Sequence, residues 1–213
     1  MTKTSHTKNM KHKNIIFDLA GVVINLNIER DTEALKSVGF PDFAGCIAND
    51  AIRVPMMSYL NGLCSKAEFC RIIRRFCRPD ATDEEILWSM DAVLDDTPLS
   101  RLQTIAELKK THNVYLLSNI YDTAWQLAVD EMQRHGYRPE DCFDKVFLSY
   151  EMQMAKPDER IFAALLEETG ANPADTIYFD DTAENIEAGK RMGLTSVLVP
   201  MNRLEDVIED ALR

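Results

Sequence analysis

Residues 14–21 read NIIFDLAG, an apolar run that passes directly into Asp18. Near-continuous apolar runs of this length are typical of parallel strands that are buried on both faces. Four more runs of this kind follow, at residues 114–117, 146–148, 176–179 and 196–199. Amphipathic stretches with helical spacing alternate with them, over residues 99–111, 122–135, 158–169 and 182–192. This alternation predicts an α/β fold with a doubly wound, Rossmann-like parallel sheet as its core.

The segment from residue 27 to residue 97 has a different pattern and contains no convincing strand. Apolar residues recur there at helical spacing, in one group of Phe69, Ile72, Ile73 and Phe76 and in another of Ile86, Met90, Val93 and Leu94. We therefore predict a mobile N-terminal arm over residues 1–13, a sheet domain built from residues 14–26 and 98–213, and a helical insertion over residues 27–97. Trp88 and Trp125 are expected to pack in the apolar cores.

The composition excludes several classes of protein. The 213 residues include 24 basic and 35 acidic side chains, and the formal net charge of -11 argues against nucleic acid as a partner. No apolar run approaches the roughly 20 residues of a membrane span, and the polar N-terminus lacks the apolar segment of a secretory signal. The five cysteines form no CxxC pair, which fits reduced thiols. We expect a cytoplasmic monomer or weak homodimer with no membrane partner.

Polar residues with complementary chemistry stand where three of the apolar runs end. They are Asp18 after the first run, Ser118 and Asn119 after the second, and Asp180 and Asp181 after the fourth. Ligands of open α/β sheets bind beyond the carboxyl ends of the strands. Turn formation explains any single one of these ends, because Asp, Ser and Asn are common in turns. The combination, with Lys156 before a proline in a connecting loop, favours a binding site.

The carboxylates suit a substrate that is a phosphate ester. Asp18 is a candidate to attack phosphorus and form an aspartyl-phosphate, which divides one difficult step into two easier ones. A hard divalent cation would remove the repulsion between this carboxylate and the phosphate. Mg²⁺ prefers oxygen ligands, which Asp181 supplies, with Asp180 either as a further ligand or as a group behind the ligands.

The remaining polar groups complete this interpretation. Ser118 and the amide of Asn119 are candidates for hydrogen bonds to phosphoryl oxygens. Lys156 is the candidate that neutralises the remaining negative charge and orients Asp18.

The same positions resemble a known family. Residues 17–23 (FDLAGVV), 117–119 (LSN), 156–157 (KP) and 179–181 (FDD) resemble, in this order, the four motifs of the haloacid dehalogenase-like hydrolases. The stretch over residues 147–186 is most similar to the sugar-phosphate phosphatases related to α-glucose-1-phosphate phosphatase. The resemblance implies that the insertion is an α-helical cap and that the protein is a Mg²⁺-dependent phosphatase of small phosphorylated metabolites, with a sugar phosphate as substrate. It also implies that Asp18 is the nucleophile and that Asp18, the Ala20 backbone carbonyl and Asp181 hold the metal.

Ala20 departs from the family pattern, because typical phosphatases of the family have an acid–base Asp at this position. General acid–base catalysis is worth about 10²- to 10⁴-fold, so its loss favours substrates with acidic leaving groups, such as sugar 1-phosphates. Dehalogenases of the family also lack this Asp, so a dehalogenase is one alternative. The adjacent Asp180 and Asp181 argue against it, since they would repel a carboxylate substrate. A catalytically weak protein that binds a phosphorylated ligand or a protein partner is another alternative.

Overall fold

The computed structural model describes residues 11–213 and has a five-stranded sheet at its centre. The strands are β1 (Asn14–Phe17), β2 (Asn113–Ser118), β3 (Lys145–Leu148), β4 (Thr176–Asp180) and β5 (Thr195–Leu198). All pairings are parallel, and the strand order is β3-β2-β1-β4-β5. The predicted fold class is confirmed, and each predicted strand lies within one residue of its observed ends.

The helices divide between the sheet domain and the insertion. The insertion contains α1 (Ile28–Ser37), α2 (Phe43–Ala48), α3 (Asp50–Leu60), α4 (Lys66–Ile73) and α5 (Asp83–Asp91). The sheet domain contains α6 (Leu99–Lys109), α7 (Asp122–Arg134), α8 (Pro139–Cys142), α9 (Ser149–Met152), α10 (Glu159–Thr169), α11 (Ala183–Arg191) and α12 (Ile208–Ala211). The four amphipathic stretches of the sheet domain are thus confirmed as α6, α7, α10 and α11.

The alternation of side chains along β1 explains why both faces of the sheet are covered. Ile15 and Phe17 point into a cluster with residues of α6, α7, α8 and α12. Ile16 lies in a second cluster with residues of α10 and α11. Successive residues of a strand face opposite sides, so a run without polar positions requires a helix layer on each side. This arrangement leaves the carboxyl edge of the sheet open for a site.

The insertion has a hydrophobic cluster of its own, in which Phe69, Ile73, Ile86 and Met90 are buried. The predicted face that includes Val93 and Leu94 is too long, because α5 ends at Asp91. The prediction for Trp88 was wrong, because this side chain on α5 is 51% exposed.

Two chain crossings join the insertion to the sheet domain and pair with each other through the backbone. The amide of Asn25 donates to the Asp96 carbonyl over 3.0 Å, and the amide of Asn27 donates to the Val93 carbonyl over 2.8 Å. An isolated antiparallel bridge between Leu26 and Leu94 lies beside these bonds. This paired ribbon therefore carries both covalent connections between the insertion and the sheet domain.

The predicted N-terminal arm over residues 1–13 falls mostly on residues outside those described, and it is too long at its end. His12 is buried, and the backbone of Lys13 bonds both neighbouring strands, with its amide on the Asp175 carbonyl and its carbonyl on the Asn113 amide. The backbone of Lys13 therefore continues the hydrogen-bond pattern of β1 by one residue. Among the described residues, no helix has the length and apolar character to cross a bilayer.

Candidate active site

The carboxyl ends of β1, β2 and β4 bring the predicted site residues together. Asp18, Asp180 and Asp181 each offer a carboxylate oxygen, and these oxygens lie within 4.8 Å of one another. The backbone amide of Asp18 still bonds the Phe179 carbonyl over 2.9 Å, so the register of β1 and β4 fixes where this carboxylate starts. Three negative charges at this spacing require compensation by a cation.

Lys156 supplies one positive charge between two of these carboxylates. Its Nζ lies 2.7 Å from Asp18 Oδ1 and 2.8 Å from Asp180 Oδ2, and it donates to the Leu117 carbonyl over 2.9 Å. All three ammonium protons have an acceptor although the side chain is buried. Burial lowers the pKa of Lys156, but Asp18 and Asp180 outweigh burial, so the net pKa is raised and the charge is kept. One cation against three acids leaves the site negative.

The Asp180 side chain is fully buried and is already saturated with donors. Besides Lys156, it accepts hydrogen bonds from the Tyr178 hydroxyl, from the Thr182 amide at 2.8 Å and from Asn185 Nδ2 at 3.0 Å. Burial raises the pKa of Asp180, but Lys156 and these donors outweigh it and lower the pKa overall. The sequence left open whether Asp180 binds the metal or supports the residues that bind it, and this geometry favours the supporting role. Asp180 holds Lys156 in place.

Two of these donors were missed as site residues by the sequence reasoning. Tyr178 lies two residues before Asp180 on β4, and side chains at this spacing share one face of a strand. Asn185 lies on the first turns of α11, where its side chain faces back to the strand end. The alternation along β4 could therefore have predicted that Tyr178 lies beside Asp180. The contact of Asn185 with Asp180 could not be predicted, because it depends on how α11 packs.

Burial raises the pKa of both other carboxylates, and Asp181 lies against the loop that follows Asp18. Burial raises the pKa of Asp18, and Lys156 opposes the rise. Burial, followed by the charge of Asp180, also raises the pKa of Asp181. Gly21 has a φ of 77°, and a Cβ added there would lie 2.3 Å from Asp181 Oδ2. A side chain at Gly21 would therefore fill the space in which this carboxylate sits.

The oxygen donors around this space fit a divalent cation. Among the described residues, the Ala20 carbonyl accepts no backbone hydrogen bond, and it is next to Gly21. Asp18, the Ala20 carbonyl and Asp181 are all hard oxygen donors, and the described residues place no Cys or His in the cluster. This donor set suits Mg²⁺.

The end of β2 contributes one free donor and one structural side chain. The hydroxyl of Ser118 is fully buried and has no hydrogen-bond partner among residues 11–213. Buried polar atoms are rarely left unpaired, so this hydroxyl is suited to a ligand oxygen. The Asn119 side chain instead accepts from the Lys156 amide at 2.9 Å and donates to the Lys156 carbonyl at 2.8 Å. These two hydrogen bonds connect the loop after β2 to the loop that contains Lys156.

Comparison with known proteins identifies the family to which this fold and site belong. Residues 12–193 match the family model of the haloacid dehalogenase-like hydrolases, and the chain belongs to this family.

Relatives of known structure or name lie within the same family. A D-ribitol-5-phosphate phosphatase of Bacteroides thetaiotaomicron is 28% identical over 183 residues, which are 85% of this chain and 88% of the relative. The crystal structure of a family enzyme from the same organism, in complex with magnesium and inorganic phosphate, is 32% identical with a TM-score of 0.81 and covers 90% of this chain and 96% of that one. A predicted family hydrolase from Porphyromonas gingivalis is 26% identical with a TM-score of 0.85 and covers 95% of this chain and 98% of that one.

Proposed function

We propose that the protein is a Mg²⁺-dependent phosphatase that hydrolyses a small phosphorylated metabolite, a sugar or polyol phosphate, through an aspartyl-phosphate on Asp18. The observation that carries this proposal is the buried Lys156 between Asp18 and Asp180, with a third carboxylate, Asp181, within 4.8 Å. A related protein that bears the name of a sugar-alcohol phosphatase and a related enzyme solved with magnesium and phosphate support it.

The metal would be held by Asp18, the Ala20 carbonyl and Asp181. When bound, Mg²⁺ supplies the positive charge that lets an anionic nucleophile approach an anionic phosphoryl group. Asp180 stays outside this set, because its oxygens accept hydrogen bonds from Lys156 and three other donors.

In the first step, Asp18 attacks phosphorus. Its Oδ1 already accepts from Lys156 and from the Leu19 amide at 2.7 Å, so Oδ2 is the oxygen that forms the new bond. The bond between phosphorus and the leaving oxygen breaks as the Asp18–phosphorus bond forms. The free hydroxyl of Ser118 is the donor for the charge that builds up on phosphoryl oxygens, and the positive charge of Lys156, whose three protons are already bonded, offsets it electrostatically. In the second step, water attacks phosphorus and releases Asp18.

The absence of a carboxylate at Ala20 bears on both steps. The leaving oxygen and the attacking water each need a proton transferred, and position 20 has no group to do it. Substrates with acidic leaving groups, such as sugar 1-phosphates, depend less on this transfer. The ester named for the related phosphatase is a primary polyol phosphate, so both substrate classes belong in a test.

Residues 27–97 are proposed to act as the cap that selects the substrate, because they form a hydrophobic cluster of their own and both of their chain connections to the sheet domain run through one backbone ribbon. A cytoplasmic location, a monomer or weak homodimer, and the lack of nucleic acid or membrane partners stay predictions.

A panel of sugar 1-phosphates, primary sugar phosphates and polyol phosphates, assayed with Mg²⁺ and with a chelator, tests the proposal. We expect phosphate release that depends on Mg²⁺ and falls at least about a hundredfold in Asp18→Asn, which keeps the side-chain shape but removes the nucleophile. The matched control is Asp83→Asn, which changes an exposed acid of α5. Full activity in the chelator, or halide release from a haloacid in its place, would contradict the proposal and favour the dehalogenase alternative. Phosphate binding without turnover would favour the binding protein.

A further inference from the structure

The turn between α3 and α4 is where the cap is fastened to the sheet domain, and both oxygens of one carboxylate take part. The Tyr59 hydroxyl, near the end of α3, donates to Asp122 Oδ1 over 2.6 Å. Lys66 Nζ, at the start of α4, lies 3.0 Å from Asp122 Oδ2. Burial raises the pKa of Asp122, but Tyr59 and Lys66 outweigh it and lower the pKa overall, so the carboxylate stays ionised.

A stack of three aromatic rings runs through the same contact. The Tyr59 ring stacks on Phe69 of the cap and on Tyr121 of the sheet domain, each with a centroid distance of 4.9 Å. Tyr59 is 3% exposed, so little water reaches the hydroxyl end of its hydrogen bond to the carboxylate. The rings on both sides leave the Tyr59 hydroxyl little freedom to turn away from Asp122.

The backbone of the turn lies against the start of α9, which follows β3 directly. Ser149 Oγ donates to the Leu60 carbonyl over 2.7 Å and accepts from the Ile120 amide over 3.0 Å. Gly62 has a φ of 63°, and a Cβ added there would lie 2.0 Å from the Tyr150 carbonyl oxygen. Only a glycine allows this approach.

The contacts of Tyr59, Lys66 and Ser149 reach the five-residue segment that runs from Ser118, the proposed phosphate donor at the end of β2, to Asp122 at the start of α7. Asn119 is tied to the backbone of Lys156, and Ile120 is tied to Ser149. Tyr121 and Asp122 are tied to the cap. The segment is thus held by the backbone of Lys156 near one end and by the cap at the other. The proposed chemistry does not use Tyr59, Lys66 or Asp122.

We propose that Tyr59, Lys66 and Asp122 are positioning residues that form a latch, which holds the cap closed on residues 118–122 and thereby sets the phosphate-binding geometry. The inference rests on the proposed function, because it takes this loop as the phosphate site. Linkage is reciprocal, so bound phosphate stabilises the latch by the factor with which the latch strengthens phosphate binding. The buried hydrogen bond of Tyr59 carries more of this coupling than the half-exposed ion pair of Lys66.

The test compares hydrogen exchange of residues 59–66 and calorimetric binding of inorganic phosphate to the Mg²⁺-loaded full chain. We expect Tyr59→Phe to exchange about tenfold faster in this segment and to bind phosphate about tenfold more weakly, and Lys66→Gln to change both by about two- to threefold. Lys66→Arg keeps the charge and should behave as the wild type. Arg53→Gln is the matched control, because Arg53 pairs with Asp50 at 2.7 Å on the exposed face of the same helix as Tyr59.

Exchange rates in Tyr59→Phe equal to those in Arg53→Gln would overturn the latch. Faster exchange with unchanged phosphate affinity would overturn its positioning role. A wild-type chain that binds phosphate but hydrolyses no ester would refute the proposed function alone, since exchange and phosphate affinity do not depend on turnover.

Discussion

Ala20 stands where the family motif that this chain resembles has an acid–base Asp in typical phosphatases. Its backbone pairs with Ile24 in an isolated bridge, which holds the turn after Asp18 in place without any help from the side chain. A substitution at this position therefore changes the chemistry of the site more than the shape of the loop.

Ala20→Asp should raise the rate on esters of ordinary alcohols by up to about 10²-fold, and less on sugar 1-phosphates. The new carboxylate would protonate the leaving oxygen, which the more acidic leaving groups need less. Steady-state kcat on both substrate classes measures the difference. Equal small effects on both classes would show that another group already carries the proton, and loss of activity on both would show that the pocket has no room for a carboxylate.

At this scale the sequence predicts which candidate site residues come together better than it predicts their hydrogen-bond partners. Asp18, Ser118 and Lys156 were predictable as candidate site residues because each stands at a strand end or in a connecting loop. The sequence could not decide between the roles of Asp180, because the answer depends on how many donors reach its oxygens in three dimensions. Asn185 illustrates the same limit, since it is an ordinary polar residue until the packing of α11 brings it to Asp180.

Among the elements, the short turn between α3 and α4 makes a close contact between the helical insertion and the sheet domain. Gly62→Ala should destabilise the fold and lower kcat/KM at least about tenfold, because its Cβ would collide with the Tyr150 carbonyl and push the cap away. Gly136→Ala is the matched control: Gly136 has a similar φ of 79°, but nothing lies within 4 Å of the added Cβ. It should lose about 1–2 kcal/mol of stability and keep its activity.

Chemical denaturation and kinetics of the two glycine variants separate backbone strain from cap displacement. Equal activity in both variants would contradict a close functional contact at this turn.

Strands and long helices were predictable here because each has a local pattern. Ile15–Phe17 is apolar without interruption, and the spacing of Ile161, Phe162 and Leu165 repeats along one face of α10. The contacts between the cap and the sheet domain have no such pattern, since Tyr59 and Asp122 are 63 residues apart in sequence. Trp88 shows the converse error, because an apolar side chain does not reveal whether its helix face is covered.

For the whole molecule, the uncompensated charge of the site predicts that Mg²⁺ stabilises the fold. Asp18, Asp180 and Asp181 face one buried cation, Lys156. Mg²⁺ at about 100 times its dissociation constant should add about 2.7 kcal/mol and raise Tm by roughly 5–10 °C. Asp181→Asn should lose most of this shift, and thermal unfolding with and without Mg²⁺ measures it. An equal shift in Asp181→Asn would place the metal elsewhere.

The proposed mechanism requires a covalent intermediate on Asp18, which a rapid acid quench followed by mass spectrometry detects. With Ala20 in place of the acid–base residue, water is poorly activated in the second step, so the aspartyl-phosphate should accumulate during turnover of a sugar phosphate with Mg²⁺. We expect a phosphoryl group on the peptide that contains Asp18, at a higher level in the wild type than in Ala20→Asp, and none in Asp18→Asn. Turnover with no phosphorylated peptide at any time, or a phosphoryl group that persists in Asp18→Asn, would contradict it.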